Sequence, residues 1–150
     1  MERRLSNTLP TGKFENVPEG RARNMAAIRG RGNRTTEVRL RASMVRAGLR
    51  GWTMHPPDVP GKPDSYFASA GLAVFVDGCF WHGCPRCGHV PRTNSGFWQA
   101  KIHRNRQRDK NTRRRLRRLG IKAVRFWEHE LRESTQWCIQ RILDLLDCGK

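Results

Sequence analysis

The sequence has few acidic residues and a single tyrosine. Only 13 Asp and Glu residues stand against 30 Lys and Arg residues in a chain of 150, which gives a formal net charge of +17 at pH 7. A positive field of this size favours polyanions, because neutralising phosphates releases condensed counterions. The composition therefore predicts a nucleic acid as the partner.

Long apolar runs are also missing. No stretch approaches the ~20 residues of a membrane span, and the first residues lack the apolar segment of a signal peptide. A basic chain can also bind an anionic membrane, but that needs a basic helix with a wide apolar face or a lipid anchor. The hydrophobic fraction of 37% still allows a core. We therefore expect one cytoplasmic globular domain with no membrane contact.

Cysteines are few and unevenly placed. Three of the five, Cys79, Cys84 and Cys87, fall within nine residues. In a reducing compartment such a cluster is more often a metal site than a disulfide framework. The spacing from Cys84 to Cys87 is that of a zinc knuckle, and a tetrahedral structural Zn²⁺ needs one more ligand beyond three thiolates. From the residues alone, the candidates for that ligand are His82, His89, His103 and His129.

Periodicity and turn residues predict a flexible arm over 1–20 and one mixed α/β domain over 21–150. The first predicted helix begins at Thr35 or Thr36 and carries Glu37 in its first turn, where the helix dipole favours an acid. Its predicted apolar stripe is Val38, Ala42, Val45 and Leu49. The other predicted elements are a hairpin of strands 64–67 and 72–76, a long helix 97–119, a third strand 121–127 and a last helix 135–146.

The long predicted helix is strongly basic and contains one acid. Residues 101–118 hold ten Lys and Arg residues and the single carboxylate Asp109. On a helix of 3.6 residues per turn, Asp109 falls on the same stripe as the sparse apolar residues Trp98, Ile102, Leu116 and Leu119. Asp109 is therefore predicted to point inward. It either pairs with a neighbouring arginine or serves an active site, with the basic face turned toward phosphate.

Two further acids are placed at strand ends. Asp64 follows Pro63 at the head of one strand, and Asp77 ends the next strand. Oxygen ligands of this kind suit Mg²⁺, which needs only one or two carboxylates besides substrate phosphate. Nucleases that present acids in this way usually carry a lysine two residues after the second acid. Cys79 stands there instead, and His82 is the predicted replacement as a base or water-positioning group.

Aromatic pairs flank the cysteine cluster. Phe80 with Trp81 and Phe97 with Trp98 lie among arginines and lysines in the sequence. Such side chains stack on bases or wedge between them in some DNA-binding proteins. Packing in the core is the alternative for each of them.

Together these residues resemble the very short patch repair endonucleases, which are related to the type II restriction fold and nick DNA beside a T:G mismatch. The resemblance covers about 24–131. It implies a restriction-endonuclease-like α/β domain over 21–150, with a central mixed sheet flanked by helices and a structural zinc site. The motifs that carry it are Pro60-Gly61-Lys62-Pro63-Asp64, Gly78-Cys79-Phe80-Trp81-His82, Phe97-Trp98-Gln99-Ala100-Lys101-Ile102, Arg108-Asp109 and Trp127-Glu128.

The resemblance also implies roles for a catalytic set. Asp64 would be a direct ligand of a catalytic Mg²⁺ ion, together with the backbone carbonyl of Val76. His82 would activate water or protonate the leaving oxygen, and Asp109 would orient His82. Glu37 would contact water on the metal ion.

By the same resemblance, other residues would bind zinc and DNA. The Zn²⁺ ligands would be Cys79, Cys84, Cys87 and His129, which leaves His82 free for chemistry. Met25 would enter the duplex from the minor groove. The wedge beside the mismatch would be Phe80, Trp81 and Trp98.

The sequence departs from the family pattern at two notable positions. Asp77 stands where the best-known member has a histidine, so it would either add a metal ligand or form a hydrogen bond. His129 replaces a cysteine and remains a competent zinc ligand. Two alternative functions are a homing-type or mobile-element nuclease without mismatch specificity and a non-enzymatic zinc module that binds DNA. We expect a monomer acting on double-stranded DNA at the bacterial nucleoid, with mismatch-repair proteins as possible partners.

Overall fold

The computed structural model describes residues 34–148. The predicted arm over 1–20 and Met25 lie outside these residues. The strands are β1 (Trp52–Thr53), β2 (Ser65–Phe67), β3 (Leu72–Asp77) and β4 (Lys122–Trp127), and the helices are α1 (Arg34–Arg46), α2 (Ser95–Arg118), α3 (Glu128–Glu133) and α4 (Thr135–Asp147).

The four strands form one mixed sheet in the order β1-β2-β3-β4. β1 and β2 pair antiparallel, β2 and β3 form the predicted antiparallel hairpin, and β3 and β4 run parallel. A parallel pair needs a crossover, and the segment that contains α2 provides it. The prediction of a mixed sheet is therefore confirmed, and it places the carboxyl ends of β3 and β4 next to each other.

Each face of the sheet is covered by helices. α1 and α4 pack on one face, where the buried residues include Leu40, Met44, Leu72, Val74, Phe126, Ile139 and Ile142. α2 covers the other face, where Leu116 packs with Val59, Ala73 and Phe75. This second face also carries Asp77, because alternate residues of a strand point to the same side.

The predicted apolar stripe of the first helix is wrong. Val38 and Val45 are 44% and 49% exposed, whereas Leu40 and Met44 are buried. Leu40 and Met44 are one helical turn apart and bury more apolar area than the two valines would. Leu49 is buried as predicted, in the turn that follows the helix.

Three short elements were not predicted. β1 has only two residues, a 3-10 helix of three residues (Ala68–Ala70) joins β2 to β3, and α3 has six residues and follows β4 without a gap. The side chain of Glu130 accepts a hydrogen bond from the backbone N–H of Trp127 at 2.8 Å and so caps the start of α3. Within 34–148, no helix is long and apolar enough to cross a membrane.

Candidate active site and metal centre

Three groups of polar side chains gather at or near the carboxyl end of β3. The carboxylate–imidazole cluster comprises Glu37, His55 and Asp64, and the His82 network comprises Asp77, His82, Asp109 and Arg125. The thiolate site comprises Cys79, Cys84, Cys87 and His129. The end of β3 is common to all three groups. Val76 donates a hydrogen bond to Asp64 of the carboxylate–imidazole cluster, Asp77 belongs to the His82 network, and Cys79, two residues after β3, belongs to the thiolate site.

Asp64 is the centre of the carboxylate–imidazole cluster, in which one ligand atom from each of the three residues lies within 4.8 Å of the others. The backbone N–H of Val76 donates to Asp64 Oδ2 at 2.7 Å. In an extended strand the N–H and the C=O of one residue point to the same neighbour. The carbonyl of Val76 is therefore directed to the side of Asp64, as the resemblance implies for an oxygen ligand.

The carboxyl group of Asp64 has an unfavourable electrostatic environment. Burial raises its pKa, and the charges of Glu37 and Asp77 raise it further. The hydrogen bond from Val76 and the charge of His55 oppose this rise without cancelling it. A divalent cation at Asp64 would relieve the repulsion, and the oxygen donors of the cluster are of the kind that Mg²⁺ accepts.

His82 is held by the one acid of α2. Its Nδ1 lies 2.6 Å from Asp109 Oδ2, and because a carboxylate accepts, Nδ1 carries the donated proton. The prediction that Asp109 points inward is confirmed. Since Nδ1 is engaged, Nε2 is the nitrogen left for proton transfer.

Arg125, on β4, belongs to the His82 network although no sequence pattern indicated it. It donates to both oxygens of Asp77, at 2.8 and 2.9 Å, and to Asp109 Oδ1 at 3.0 Å. Its guanidinium lies 4.4 Å from the ring centre of Phe75, the residue opposite it in the β3–β4 register. Asp109 therefore both accepts a hydrogen bond from His82 and joins an internal salt bridge with Arg125, while its service to an active site stays a prediction.

The charge balance of the His82 network depends on this guanidinium. Burial lowers the pKa of Arg125, but the hydrogen bond to Asp77 and the charges of Asp77, Asp109 and Asp64 raise it above its ordinary value. The cation between Asp77 and Asp109 is thus supplied by the chain itself. Asp77 is buried as one half of this ion pair.

We expect Arg125→Met to lower the free energy of unfolding by about 3–5 kcal/mol, because it leaves a buried carboxylate without its partner. Adding Asp77→Leu should recover much of that loss, since an apolar pair then replaces the ion pair. Urea unfolding of the two single variants and the double variant measures this coupling. Arg86→Met is the matched control, because Arg86 pairs with Glu133 at the exposed surface, and its effect should be small. Additive losses in the double variant would contradict the assigned pairing.

The distances in the thiolate site match a tetrahedral zinc site. His129 Nδ1 lies 3.3, 3.6 and 3.1 Å from the sulfurs of Cys79, Cys84 and Cys87, and the sulfurs of Cys84 and Cys87 are 3.7 Å apart. Zn–S bonds of about 2.3 Å and Zn–N bonds of about 2.0–2.1 Å would put two sulfurs about 3.8 Å apart, and a sulfur and a nitrogen about 3.6 Å apart. The donor set therefore fits Zn²⁺.

The thiolate site joins the loop after β3 to the start of α3, and its ligands Cys79 and His129 are 50 positions apart in the sequence. The sequence offered four histidines as the fourth zinc ligand, and His129 is the one that lies beside the three cysteines. Burial raises the pKa of the Cys84 thiol, but hydrogen bonds from the backbone N–H groups of Cys87 and Arg86 and with the Cys87 and Cys79 side chains together lower that pKa below its ordinary value. At Cys84 the site therefore favours the thiolate form that a metal ion requires, whereas burial raises the pKa of the Cys79 thiol to about 12.

The aromatic cluster comprises Phe80, Trp81, Phe97 and Trp98. The ring of Trp98 is 5.3 Å from that of Phe80 and 6.0 Å from that of Trp81, and Trp98 is only 7% exposed. Lys101 Nζ lies 4.9 Å from the centre of the Trp81 ring. Trp98 thus packs against the other two proposed wedge residues, and its own entry into the DNA stack stays a prediction.

α2 also holds the backbone at Trp81 in place, and the indole of Trp81 carries an unpaired donor. The side-chain amide of Asn105 donates to the backbone carbonyl of Trp81 at 2.8 Å. Trp81 Nε1 is buried and has no hydrogen-bond partner among the described residues. Leaving such a donor unpaired costs about 1–3 kcal/mol, so a DNA acceptor that reached Nε1 would gain from the contact.

The outer face of α2 is a basic surface next to these groups. All ten basic residues of 101–118 except Lys101 are exposed, while Ile102, Asn105, Asp109, Thr112 and Leu116 face the protein. A surface of this kind neutralises phosphates. One helix therefore presents a carboxylate to His82 on one side and cations to solvent on the other.

Comparisons with known proteins point to one family. Residues 15–87 match the family model described as DNA mismatch endonuclease Vsr. The chain is 41% identical over 131 residues to the type II nicking enzyme V.NaeI of Lentzea aerocolonigenes, a match that covers 85% of this chain and 76% of that one. It is 36% identical to the type II nicking enzyme V.XorIIP of Xanthomonas oryzae, with 85% and 94% covered. Its identity to the DNA mismatch endonuclease Vsr of Escherichia coli K12 is 32%, with 87% and 85% covered.

Proposed function

Because the chain belongs to the Vsr family of DNA endonucleases, we propose that it nicks one strand of duplex DNA beside a T:G mismatch in the presence of Mg²⁺. One observation carries the proposal: two groups lie at the end of β3. One is Asp64, which accepts a hydrogen bond from Val76, and the other is His82, which is bonded to Asp109. Zinc in the thiolate site would have a structural role only.

In this proposal Asp64 and the carbonyl of Val76 would hold the catalytic ion, and Glu37 would contact it directly or through a bound water. Bound Mg²⁺ would stabilise the negative charge that builds up on the scissile phosphate. The chain's part is to keep the carboxylate of Asp64 fixed, which the hydrogen bond from Val76 does. The raised pKa of Asp64 means that proton and metal ion compete for the same oxygens.

His82 is proposed as the proton carrier. Asp109 fixes the ring orientation through Nδ1 and leaves Nε2 to take a proton from water or give one to the leaving oxygen. Arg125 acts through Asp109 as a positioning residue, because its bond to Oδ1 leaves Oδ2 for His82.

DNA recognition is divided between charge and stacking. The basic face of α2 would contact phosphates and set the register of the protein on the duplex, while Phe80 and Trp81, backed by Trp98, would read the weakened stack at the mismatch. Met25 keeps its proposed role in the minor groove. Since DNA is the substrate, we place the enzyme in the bacterial cytoplasm at the nucleoid, acting as a monomer.

The test is a nicking assay on two duplexes that differ only in one T:G or T:A pair. One base-pair change alters binding by about 1–3 kcal/mol, so we expect the T:G duplex to be nicked at least about fivefold faster, and only with a divalent ion. His82→Asn protein, purified in parallel, controls for contaminating nucleases. Equal rates on both duplexes would remove mismatch specificity and favour a sequence-directed nicking enzyme, the description that V.NaeI and V.XorIIP carry.

A further inference from the structure

His55 is the member of the carboxylate–imidazole cluster to which neither the sequence nor the proposed function gave a role. It lies between β1 and β2, nine residues before Asp64. Its Nε2 is 3.6 Å from Glu37 Oε1, and one of its ring nitrogens lies within 4.8 Å of the ligand oxygens of both Glu37 and Asp64. An imidazole therefore faces the oxygens that are proposed to hold the catalytic ion.

The backbone of His55 is fixed in a conformation that an ordinary side chain adopts rarely. Its φ is +45°, in the left-handed region, and its N–H donates to the carbonyl of Pro63 at 3.1 Å, next to Asp64. A non-glycine residue in this region carries strain that the surrounding structure must overcome, and such residues concentrate at functional sites. The hydrogen bond ties the position of His55 to that of Asp64.

The spacing suits shared ligation better than a direct hydrogen bond. At 3.6 Å, the separation of the His55 nitrogen and the Glu37 oxygen exceeds the 2.7–3.2 Å of an N–H···O bond. Two ligands about 2.1 Å from one octahedral ion are about 3 Å apart when adjacent and about 4.2 Å apart when opposite. The observed 3.6 Å is about 0.6 Å longer than the adjacent-ligand distance, so a small movement of the two side chains would place both atoms on one ion.

We propose that His55 is a nitrogen ligand of the ion at Asp64, so that this site prefers first-row transition ions such as Mn²⁺ and Co²⁺ to Mg²⁺. The proposal rests on the proposed function in one respect, the location of the ion at Asp64. Imidazole is a ligand of transition metals, whereas Mg²⁺ takes oxygen ligands. Mg²⁺ would still bind through Asp64, Val76 and Glu37, but without the contribution of His55.

The experiment is pulsed electron paramagnetic resonance of Mn²⁺ added to the zinc-loaded protein without DNA. We expect a ¹⁴N coupling from a directly bound imidazole in the wild type and in His82→Asn, and its loss in His55→Gly. Glycine is chosen because it adopts the positive φ freely. His55→Asn is the second variant, because asparagine tolerates this region and keeps a polar side chain. Comparing His55→Gly with His82→Asn shows whether the bound imidazole belongs to the carboxylate–imidazole cluster or to the His82 network.

Metal affinity provides a second measurement. In calorimetric titrations, Mn²⁺ should bind at least about tenfold more weakly to His55→Gly than to the wild type, while the Mg²⁺ affinity changes less than about threefold. No ¹⁴N coupling in the wild type, its survival in both His55 variants, or its loss in His82→Asn would each overturn the proposal. These two experiments measure no cleavage, so their result can be interpreted even if the mismatch assay fails.

Discussion

Asp64→Asn is expected to abolish cleavage, with a loss of at least about 10³-fold in the nicking rate. Asparagine keeps the size of the side chain but removes the charge that would hold the catalytic ion. Charge stabilisation by a metal ion contributes several kcal/mol to such reactions, and each 1.36 kcal/mol corresponds to a factor of ten. The rate is measured on the T:G duplex at saturating Mg²⁺.

The same substitution should stabilise the metal-free protein at neutral pH. Burial, with the charges of Glu37 and Asp77, raises the pKa of Asp64 in the folded state. The folded protein therefore binds this proton up to a higher pH than the unfolded chain does, and stability falls as pH rises from the unfolded pKa to the folded pKa. Above both values the cost is complete, and an uncharged asparagine avoids it.

Thermal unfolding in the presence of a chelator of Mg²⁺ too weak to remove zinc checks this second effect. The Tm of Asp64→Asn should exceed that of the wild type at pH 7, by roughly 4 °C for each 1 kcal/mol, and the difference should shrink below about pH 4. Asp58→Asn, an exposed acid of the same loop, should change neither Tm nor rate. An Asp64→Asn protein that nicks at the wild-type rate would show that the ion is held elsewhere.

Cys84→Ser is expected to lose about one equivalent of zinc and most of the stability of the domain. Cys84 is buried and lies within 3.7 Å of both another thiolate ligand and the imidazole of His129. Binding of structural zinc contributes about 10–16 kcal/mol in small zinc-dependent folds, which is comparable with the whole stability of an ordinary domain. Without the metal, the loop after β3 is no longer joined to α3.

Elemental analysis and thermal unfolding of matched preparations test this prediction. Cys148→Ser removes an exposed thiol near the end of α4 and should keep both the zinc content and the Tm of the wild type. Full zinc occupancy in Cys84→Ser would refute the ligand assignment. A lower zinc content with an unchanged Tm would show that the ion binds without supporting the fold.

Much of the fold followed from local patterns. The alternation of turn residues and apolar runs predicted the β2–β3 hairpin, and the regular spacing of sparse apolar residues predicted α2 and the inward direction of Asp109. The first helix was placed correctly but its buried face was not. Its apolar residues occupy more than one face, so the choice of Leu40 and Met44 depended on which elements pack against it.

The candidate site was predictable where one segment carried the chemistry. Cys79, Cys84 and Cys87 are close in sequence, so their spacing alone indicated a metal. His129 had three competitors until the family resemblance favoured it, because the fourth ligand comes from a distant helix. His55 gave no signal beyond being a histidine in a proline-rich loop.

The sequence by itself determined the chemical inventory of this protein, namely a basic surface, thiolates for zinc and a few acids with one histidine for phosphodiester chemistry. Only the tertiary structure decided which of these groups meet. The parallel register of β3 and β4 brings Arg125 beside Phe75 and Asp77, and the loop before β2 brings His55 to Asp64. Such pairings depend on strand register and crossover direction, which arise from packing over the whole sheet and leave no local pattern in the chain.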